Sequence, residues 1–151
     1  MSFNENPEIV TWPETHYVFV EKVGPFMQNA GAAWQQAHLL VPKLTAKNKI
    51  TGHMSLYKRG PKIYRAGFAI AAPPIELPDG LTYEKFAGGK YLRFVLNGSY
   101  MQLPEASGRV WSIVSEKNIE LRDDFAIENY LNDPSVTPED QLITHILIPT
   151  A

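Results

Sequence analysis

The chain has 151 residues, the size of one ordinary domain, which is long enough to bury a core without disulfides or a structural metal. Its 14 basic and 16 acidic residues give a net charge of -2, so no strong field favours direct binding to nucleic acid. The chain has no cysteine, which is typical of a reducing compartment, and we expect a cytoplasmic protein. No signal-peptide pattern and no apolar run near the roughly 20 residues of a spanning helix occur, so we expect no membrane association.

The sequence aligns with itself in two halves, and this repeat predicts the domain organisation. Residues 9–28 align without a gap with residues 83–102. The aligned pairs include Tyr17 with Tyr91, Trp34 with Trp111, and Tyr57 with Tyr130. We interpret the chain as one domain made by internal duplication. The repeats span about residues 8–71 and 81–149, joined by a Pro-rich linker at about residues 72–80.

Each half predicts the same order of elements: two strands, a helix and two more strands. Alternating apolar residues predict the strands, and each predicted helix begins after a glycine. The helix of the first half carries an apolar stripe that includes Met27, Ala33, Trp34 and Ala37. The predicted strands span residues 8–12, 16–23, 52–57, 63–71, 81–86, 90–97, 125–131 and 141–149. We expect the first two strands of each half to form a hairpin. The predicted fold class is α+β, with duplicated ββαββ units, two antiparallel sheet halves, two helices on one face and a ligand cleft between the halves.

Glu128 is the candidate functional residue because it lies within an apolar strand. Alternation places Glu128 and Tyr130 on the same face of that strand. The matching residue of the first half is Ser55, so a carboxylate occupies only one half of a quasi-symmetric cleft. The alternative is a glutamate at the rim that pairs with a nearby lysine or arginine.

Aromatic residues are the other candidate ligand contacts. The repeat places six of them on helix and strand stripes: Trp34, Trp111, Tyr57, Tyr91, Tyr130 and Phe68. Core packing is the alternative for each of them. Strands that carry Tyr17 or Tyr91 have large side chains on both faces, so we expect a ligand against the face that the helices leave open.

Metal and cofactor chemistry has no recognisable motif in this sequence. His145 lies in an alternating strand, and the other histidines show no metal-ligand spacing with it. Phosphate-binding, dinucleotide-binding, serine-hydrolase and zinc-protease motifs do not occur. We therefore expect neither a metal nor a cofactor.

Five motifs in the second half occur in a characteristic order. They are Gly89-Lys90-Tyr91, Gly98-Ser99-Tyr100, Glu128-Asn129-Tyr130, Asn132-Asp133-Pro134 and Ile146-Leu147-Ile148-Pro149. Together they resemble the GyrI-like small-molecule-binding domain, which is also the effector-binding domain of AraC-type and MerR-type multidrug-responsive regulators. The resemblance extends over nearly the whole chain and implies a stand-alone form, since too few residues precede Glu8 for a DNA-binding segment.

The resemblance implies a ligand cleft with an acid at the position of Glu128. Regulators of this class use that acid with surrounding aromatic residues to hold lipophilic cations. Some free-standing relatives instead hydrolyse cyclopropane-bearing genotoxins, which implies a catalytic role for the same acid. His145 stands where relatives often carry an acid, so the charge of this cleft differs from theirs.

Three hypotheses of function follow. The first is a binding module for a small lipophilic molecule, with ligand contacts from Glu128, Tyr130, Tyr91, Trp111, Trp34, Tyr57 and Phe68. The second is a hydrolase of strained electrophiles, with Glu128 as catalytic acid or base. The third is a protein-interaction module, such as a gyrase inhibitor, that binds a protein partner.

Overall fold

The computed structural model describes residues 2–151, which form an α+β fold of antiparallel strands and helices, as the sequence predicts. In chain order the elements are β1 (Ser2–Trp12), β2 (Thr15–Val23), α1 (Phe26–Leu39), α2 (Val41–Thr45), β3 (Ile50–Lys58), β4 (Ile63–Ile70), β5 (Thr82–Phe86), β6 (Gly89–Asn97), α3 (Leu103–Glu116), β7 (Ala126–Tyr130) and β8 (Ile143–Pro149), with short 3-10 turns at Tyr100–Gln102 and Glu139–Gln141.

The chain divides into two compact units with the same internal strand order. The Ser55 unit consists of Pro13–Gly88, and its strands follow the order β5-β2-β4-β3. The Glu128 unit combines residues 2–12 with residues 89–151, and its strands follow the order β1-β6-β8-β7. Positions in one unit therefore have counterparts in the other.

The predicted hairpins are wrong, because the first strand of each repeat pairs with a strand of the other repeat. β1 pairs antiparallel with β6, while β2 pairs with β5 and β4. The pairing of β1 is supported by side chains, since Phe3 stacks on Phe94 at 6.1 Å and Arg93 donates to Glu8 at 2.7 Å. Apolar alternation identifies a strand and its faces, but it does not identify the strand's partner.

The core of the Ser55 unit lies where α1 packs against β2 and β4. Ala33 and Ala37 are buried, and Trp34 packs edge-on against Phe68 with ring centroids 5.9 Å apart. The prediction that Met27 joins this buried stripe is wrong, since its side chain is 99% exposed. Phe26 takes the inward position at the helix start, and the next residue of a helix points about 100° away.

The Glu128 unit has a buried apolar sheet face that includes the position of Glu128. Phe94 lies opposite Ile146, and Ile146 lies opposite Glu128 in the antiparallel register. Directly opposite residues of a sheet share a face, so the carboxylate stands in line with two fully buried apolar side chains. The register therefore brings a charged group into an apolar environment.

The other sheet face holds tyrosines that are bonded inside their own units. The Tyr17 hydroxyl donates to the Met54 carbonyl at 2.8 Å, and the Tyr91 hydroxyl donates to the Phe125 carbonyl at 2.7 Å. Both tyrosines are fully buried, and burial raises the pKa of each. Internal packing and hydrogen bonding thus account for large groups on both faces of these strands.

Candidate functional site

The centre of the candidate site is the pair Glu128 and Tyr130 on β7. The two side chains lie on one face of the strand, and the Tyr130 hydroxyl donates to Glu128 Oε1 at 2.8 Å. Pairing with β8 fixes both positions, since Glu128 lies opposite Ile146 and Tyr130 lies opposite Thr144. The sheet register therefore presents one carboxylate oxygen to a hydroxyl and leaves the second oxygen available.

Burial dominates the electrostatics of Glu128. Desolvation raises the pKa of its carboxyl, and the hydrogen bond from Tyr130 partly opposes that rise. Within residues 2–151, Tyr130 is the sole hydrogen-bond partner of this carboxylate, and no lysine, arginine or histidine forms an ion pair with it. The structure therefore does not show the structural ion pair that the sequence left as the alternative.

Glu128 is half-buried, and burial desolvates its carboxylate. We interpret a desolvated carboxyl on a residue that keeps accessible surface as a group that lies in a depression of the protein surface. Concave sites with few polar groups are the usual form of small-molecule sites. The geometry of Glu128 is thus that of a carboxylate that a ligand can reach.

Replacing Glu128 with glutamine should stabilise the unliganded protein at neutral pH. The folded state binds the Glu128 proton more tightly than the unfolded chain, so the free energy of unfolding should fall as the pH rises through the raised pKa. Glutamine has no charge to desolvate, and we expect a gain of about 1 kcal/mol, or about 2–4 °C in Tm. Thermal unfolding of both proteins from acidic to neutral pH measures this difference, which should shrink at acidic pH. A variant that melts well below the parent at neutral pH would show that Glu128 has a structural role.

Tyr100 lies beside Tyr130 and is not among the residues that the sequence predicts for the site. Its ring meets the Tyr130 ring edge-on, with centroids 5.5 Å apart. Its hydroxyl is buried and has no hydrogen-bond partner within residues 2–151. Burial and, to a lesser extent, the charge of Asp133 raise the pKa of this hydroxyl. Tyr100 is therefore half-exposed as a residue, while its hydroxyl points inward and forms no hydrogen bond within residues 2–151.

The Ser55 unit has a closed polar network at the matching position. The Ser55 and Tyr64 hydroxyls are 2.6 Å apart, and Trp34 Nε1 donates to them at 3.1 and 3.0 Å. Phe26 meets Tyr57 edge-on at 5.7 Å, as Tyr100 meets Tyr130 in the other unit. The polar groups of Ser55, Tyr64 and Trp34 satisfy one another here.

Three replacements distinguish the Glu128 unit from the Ser55 unit at this position. Glu128 takes the place of Ser55, and Tyr100 takes the place of Phe26. Thr144 takes the place of Tyr64, because each lies directly opposite the tyrosine of the neighbouring strand, Tyr130 in one unit and Tyr57 in the other. Threonine lacks the aromatic ring of tyrosine, so less side-chain volume covers the acid. The Thr144 hydroxyl is buried and has no hydrogen-bond partner within residues 2–151. The repeat contains the signal for Thr144, but reading it requires the strand register.

The structure brings together only some of the residues predicted for the site. Glu128 and Tyr130 are bonded, whereas Tyr91 lies on the opposite face of the sheet by alternation from Phe94. Trp111 is half-buried on α3. The remaining three predicted residues, Trp34, Tyr57 and Phe68, belong to the α1-covered core of the Ser55 unit.

His145 lies on the face opposite Glu128, because it pairs with Asn129. Burial and the charge of Arg93 lower the pKa of His145, while Glu8 acts in the opposite direction. No group of three or more potential metal ligands occurs within residues 2–151. In the same part of the chain, the helices are too short or too polar to span a bilayer.

The fold and the desolvated carboxylate are those of a ligand-binding α+β domain. The family model described as the GyrI-like small molecule binding domain matches residues 5–151. The chain therefore belongs to the GyrI-like small-molecule-binding family. A comparison with curated protein sequences finds no significant match.

Solved structures of low sequence identity share the fold. The C-terminal domain of EcmrR has a TM-score of 0.79 at 14% identity, with 100% of this chain and 99% of that chain covered. SAV2435 bound to tetraphenylphosphonium has a TM-score of 0.72 at 14% identity, with 96% and 93% covered. A hydrolase from Listeria innocua has a TM-score of 0.60 at 10% identity, with 97% and 92% covered. The same fold thus occurs in the EcmrR C-terminal domain, in a chain solved with tetraphenylphosphonium and in a chain described as a hydrolase.

Proposed function

We propose that this domain binds a lipophilic aromatic cation at Glu128. The observation that carries the proposal is a desolvated carboxylate with one hydroxyl donor and no cationic partner within residues 2–151. A buried carboxylate without a partner is unfavourable, and a ligand cation supplies the missing charge. A positively charged ligand should therefore bind this site more tightly than a neutral ligand of the same shape.

Aromatic rings beside the carboxylate add a second reason for a cationic ligand. The Tyr130 hydroxyl contacts Glu128, and the Tyr130 ring meets the Tyr100 ring edge-on, so two aromatic rings follow one another from the acid. Ring faces attract cations, and apolar ligand surface is stabilised against the same rings. The neighbour SAV2435 was solved with tetraphenylphosphonium, which combines both properties.

Tetraphenylphosphonium is a suitable probe because its charge does not change with pH. Cation binding favours the ionised form of Glu128, so the affinity should rise as the pH rises through the raised pKa of Glu128. Above that pH the affinity should be constant. Calorimetric titration from acidic to neutral pH measures this dependence, with neutral triphenylphosphine oxide as the control. Equal binding of the two compounds at neutral pH would contradict the proposal.

The same pair of residues supports a hydrolase as the second candidate function. A carboxyl with a raised pKa, bonded to a tyrosine hydroxyl, is suited to accept a proton from water that attacks a strained electrophile. A structure described as a hydrolase shares the fold. Turnover of a cyclopropane-bearing electrophile that is lost in Glu128→Gln and unaffected by EDTA would support this function. Stoichiometric binding without product would contradict the hydrolase function and support only the binding function.

A further inference from the structure

Two hydroxyls around Tyr130, one on the residue opposite it and one on the residue whose ring meets it edge-on, are buried without a hydrogen-bond partner within residues 2–151. They are Thr144 Oγ1 and the Tyr100 hydroxyl. Burying a polar group without a partner is unfavourable, and such groups are exceptional in folded proteins. In the Ser55 unit the counterpart of Thr144 is Tyr64, whose hydroxyl is 2.6 Å from that of Ser55. The unsatisfied Thr144 hydroxyl, on the same sheet face as the acid, therefore indicates a polar group that the ligand provides.

The register places Thr144 within reach of a group bound to Glu128. Thr144 lies directly opposite Tyr130, and Glu128 precedes Tyr130 by two residues on the same face. Diagonal neighbours of this kind have Cβ atoms about 7–8 Å apart or less, and the glutamate side chain shortens the gap between the oxygens. One nitrogen that carries two or more N–H groups can donate to Glu128 and to Thr144 Oγ1 together.

Tyr100 is the side chain that we assign to the movement that opens Thr144 to a ligand, because its ring meets that of Tyr130 and Tyr130 lies directly opposite the fully buried Thr144. Tyr100 lies in the short 3-10 turn Tyr100–Gln102, and its hydroxyl forms no hydrogen bond within residues 2–151. An outward turn gives that hydroxyl contact with water and uncovers the Tyr130 ring, which Tyr100 meets edge-on. The movement thus satisfies one unpartnered hydroxyl and exposes the region of the other.

We propose that the Glu128 site selects protonated amines with free N–H groups over quaternary cations, with Thr144 as the second acceptor and Tyr100 as the side chain that turns outward. This inference rests on the proposed cation-binding function and names the ligand class of the same site. A quaternary cation satisfies the charge of Glu128 but leaves the Thr144 hydroxyl without a partner. A primary ammonium satisfies both groups.

The test compares two ligands with the same aromatic body, 4-biphenylmethylammonium and its N-trimethyl analogue. The parent protein should bind the primary ammonium about tenfold more tightly, as expected for an added hydrogen bond from a charged donor. Thr144→Val keeps the shape of the side chain and removes the hydroxyl, so the preference should largely disappear while trimethyl binding stays the same. The same variant should have a higher Tm without ligand. Thr82→Val, at an exposed strand position, is the matched control and should retain the preference.

An unchanged preference in Thr144→Val would overturn the assignment of Thr144. If binding of the trimethyl analogue still required Glu128 in that case, the proposed function would stand without this inference. If neither cation bound the parent protein, the proposed function would fail and the selectivity with it. Stopped-flow association should be several-fold faster in Tyr100→Ala than in the parent, and an equal rate would contradict the outward turn.

Discussion

Glu128→Gln should weaken the binding of tetraphenylphosphonium by about tenfold to a hundredfold at neutral pH, the usual effect of losing one partner of a desolvated charged pair. Within residues 2–151, no other acid or base forms an ion pair or hydrogen bond with Glu128 that could replace its charge. Glutamine keeps the length of the side chain and can still accept from Tyr130, so the shape of the site is retained. The substitution therefore tests the charge of Glu128 separately from the shape of the site. Isothermal titration calorimetry of both proteins measures the difference.

The control for this experiment is Glu139→Gln, which removes the same charge from an exposed 3-10 turn of the same unit. Screening reduces the effect of an exposed charge, so its affinity should stay within about twofold of the parent. Triphenylphosphine oxide should bind the parent and Glu128→Gln equally. A similar loss in both variants would mean that net charge, and not the contact at Glu128, governs binding.

Gly67→Ala should be the most destabilising small substitution in the Ser55 unit. Gly67 lies in β4 directly opposite Phe19, and an added Cβ would approach Phe19 Cα to 2.8 Å and overlap the Val18 carbonyl. Those atoms belong to the backbone of β2, so the clash is relieved only by separating the paired strands. We expect a loss of about 3 kcal/mol or more in the free energy of unfolding.

Chemical denaturation measures this loss, with Gly31→Ala as the control. Gly31 lies on α1 with nothing near its Cβ position, so alanine there should stabilise the protein by about 0.5–1 kcal/mol. If the Gly67 variant kept parental stability, the close β2–β4 pairing at Gly67 would be incorrect.

The order of the main strands and helices was predictable from the sequence because apolar periodicity is a local property. The strand partners were not predictable, because the apolar alternation of β1 and β2 is the same whichever strand each of them pairs with. The exchange of β1 and β5 between the repeats depends on side-chain contacts such as that of Phe3 with Phe94. Those contacts exist only after folding.

The candidate site was predictable where a single residue was unusual for its element. Glu128 is conspicuous in an apolar strand, and alternation placed Tyr130 beside it, as the structure shows. Thr144 and Tyr100 are not conspicuous, because a threonine in a strand and a tyrosine at a helix start are ordinary residues. Their unbonded hydroxyls become evident only in the folded protein. Tyr91 was predicted for the site by the repeat and by the expectation that a ligand covers the face that the helices leave open, whereas Glu128 lies on the face opposite Tyr91.

The pKa of Glu128 in the free and ligand-bound protein is the most direct test of the central claim, that this carboxylate is desolvated and pairs with a cation. Protein labelled with ¹³C at the glutamate carboxyl carbons is titrated by NMR, and Glu128→Gln identifies the resonance. The pKa in the free protein should lie above that of an ordinary glutamate, because burial favours the neutral acid. Saturation with tetraphenylphosphonium should lower it, because a nearby cation favours the carboxylate. An ordinary pKa in the free protein, or a pKa that saturation with the cation leaves unchanged, would contradict the proposed role of Glu128.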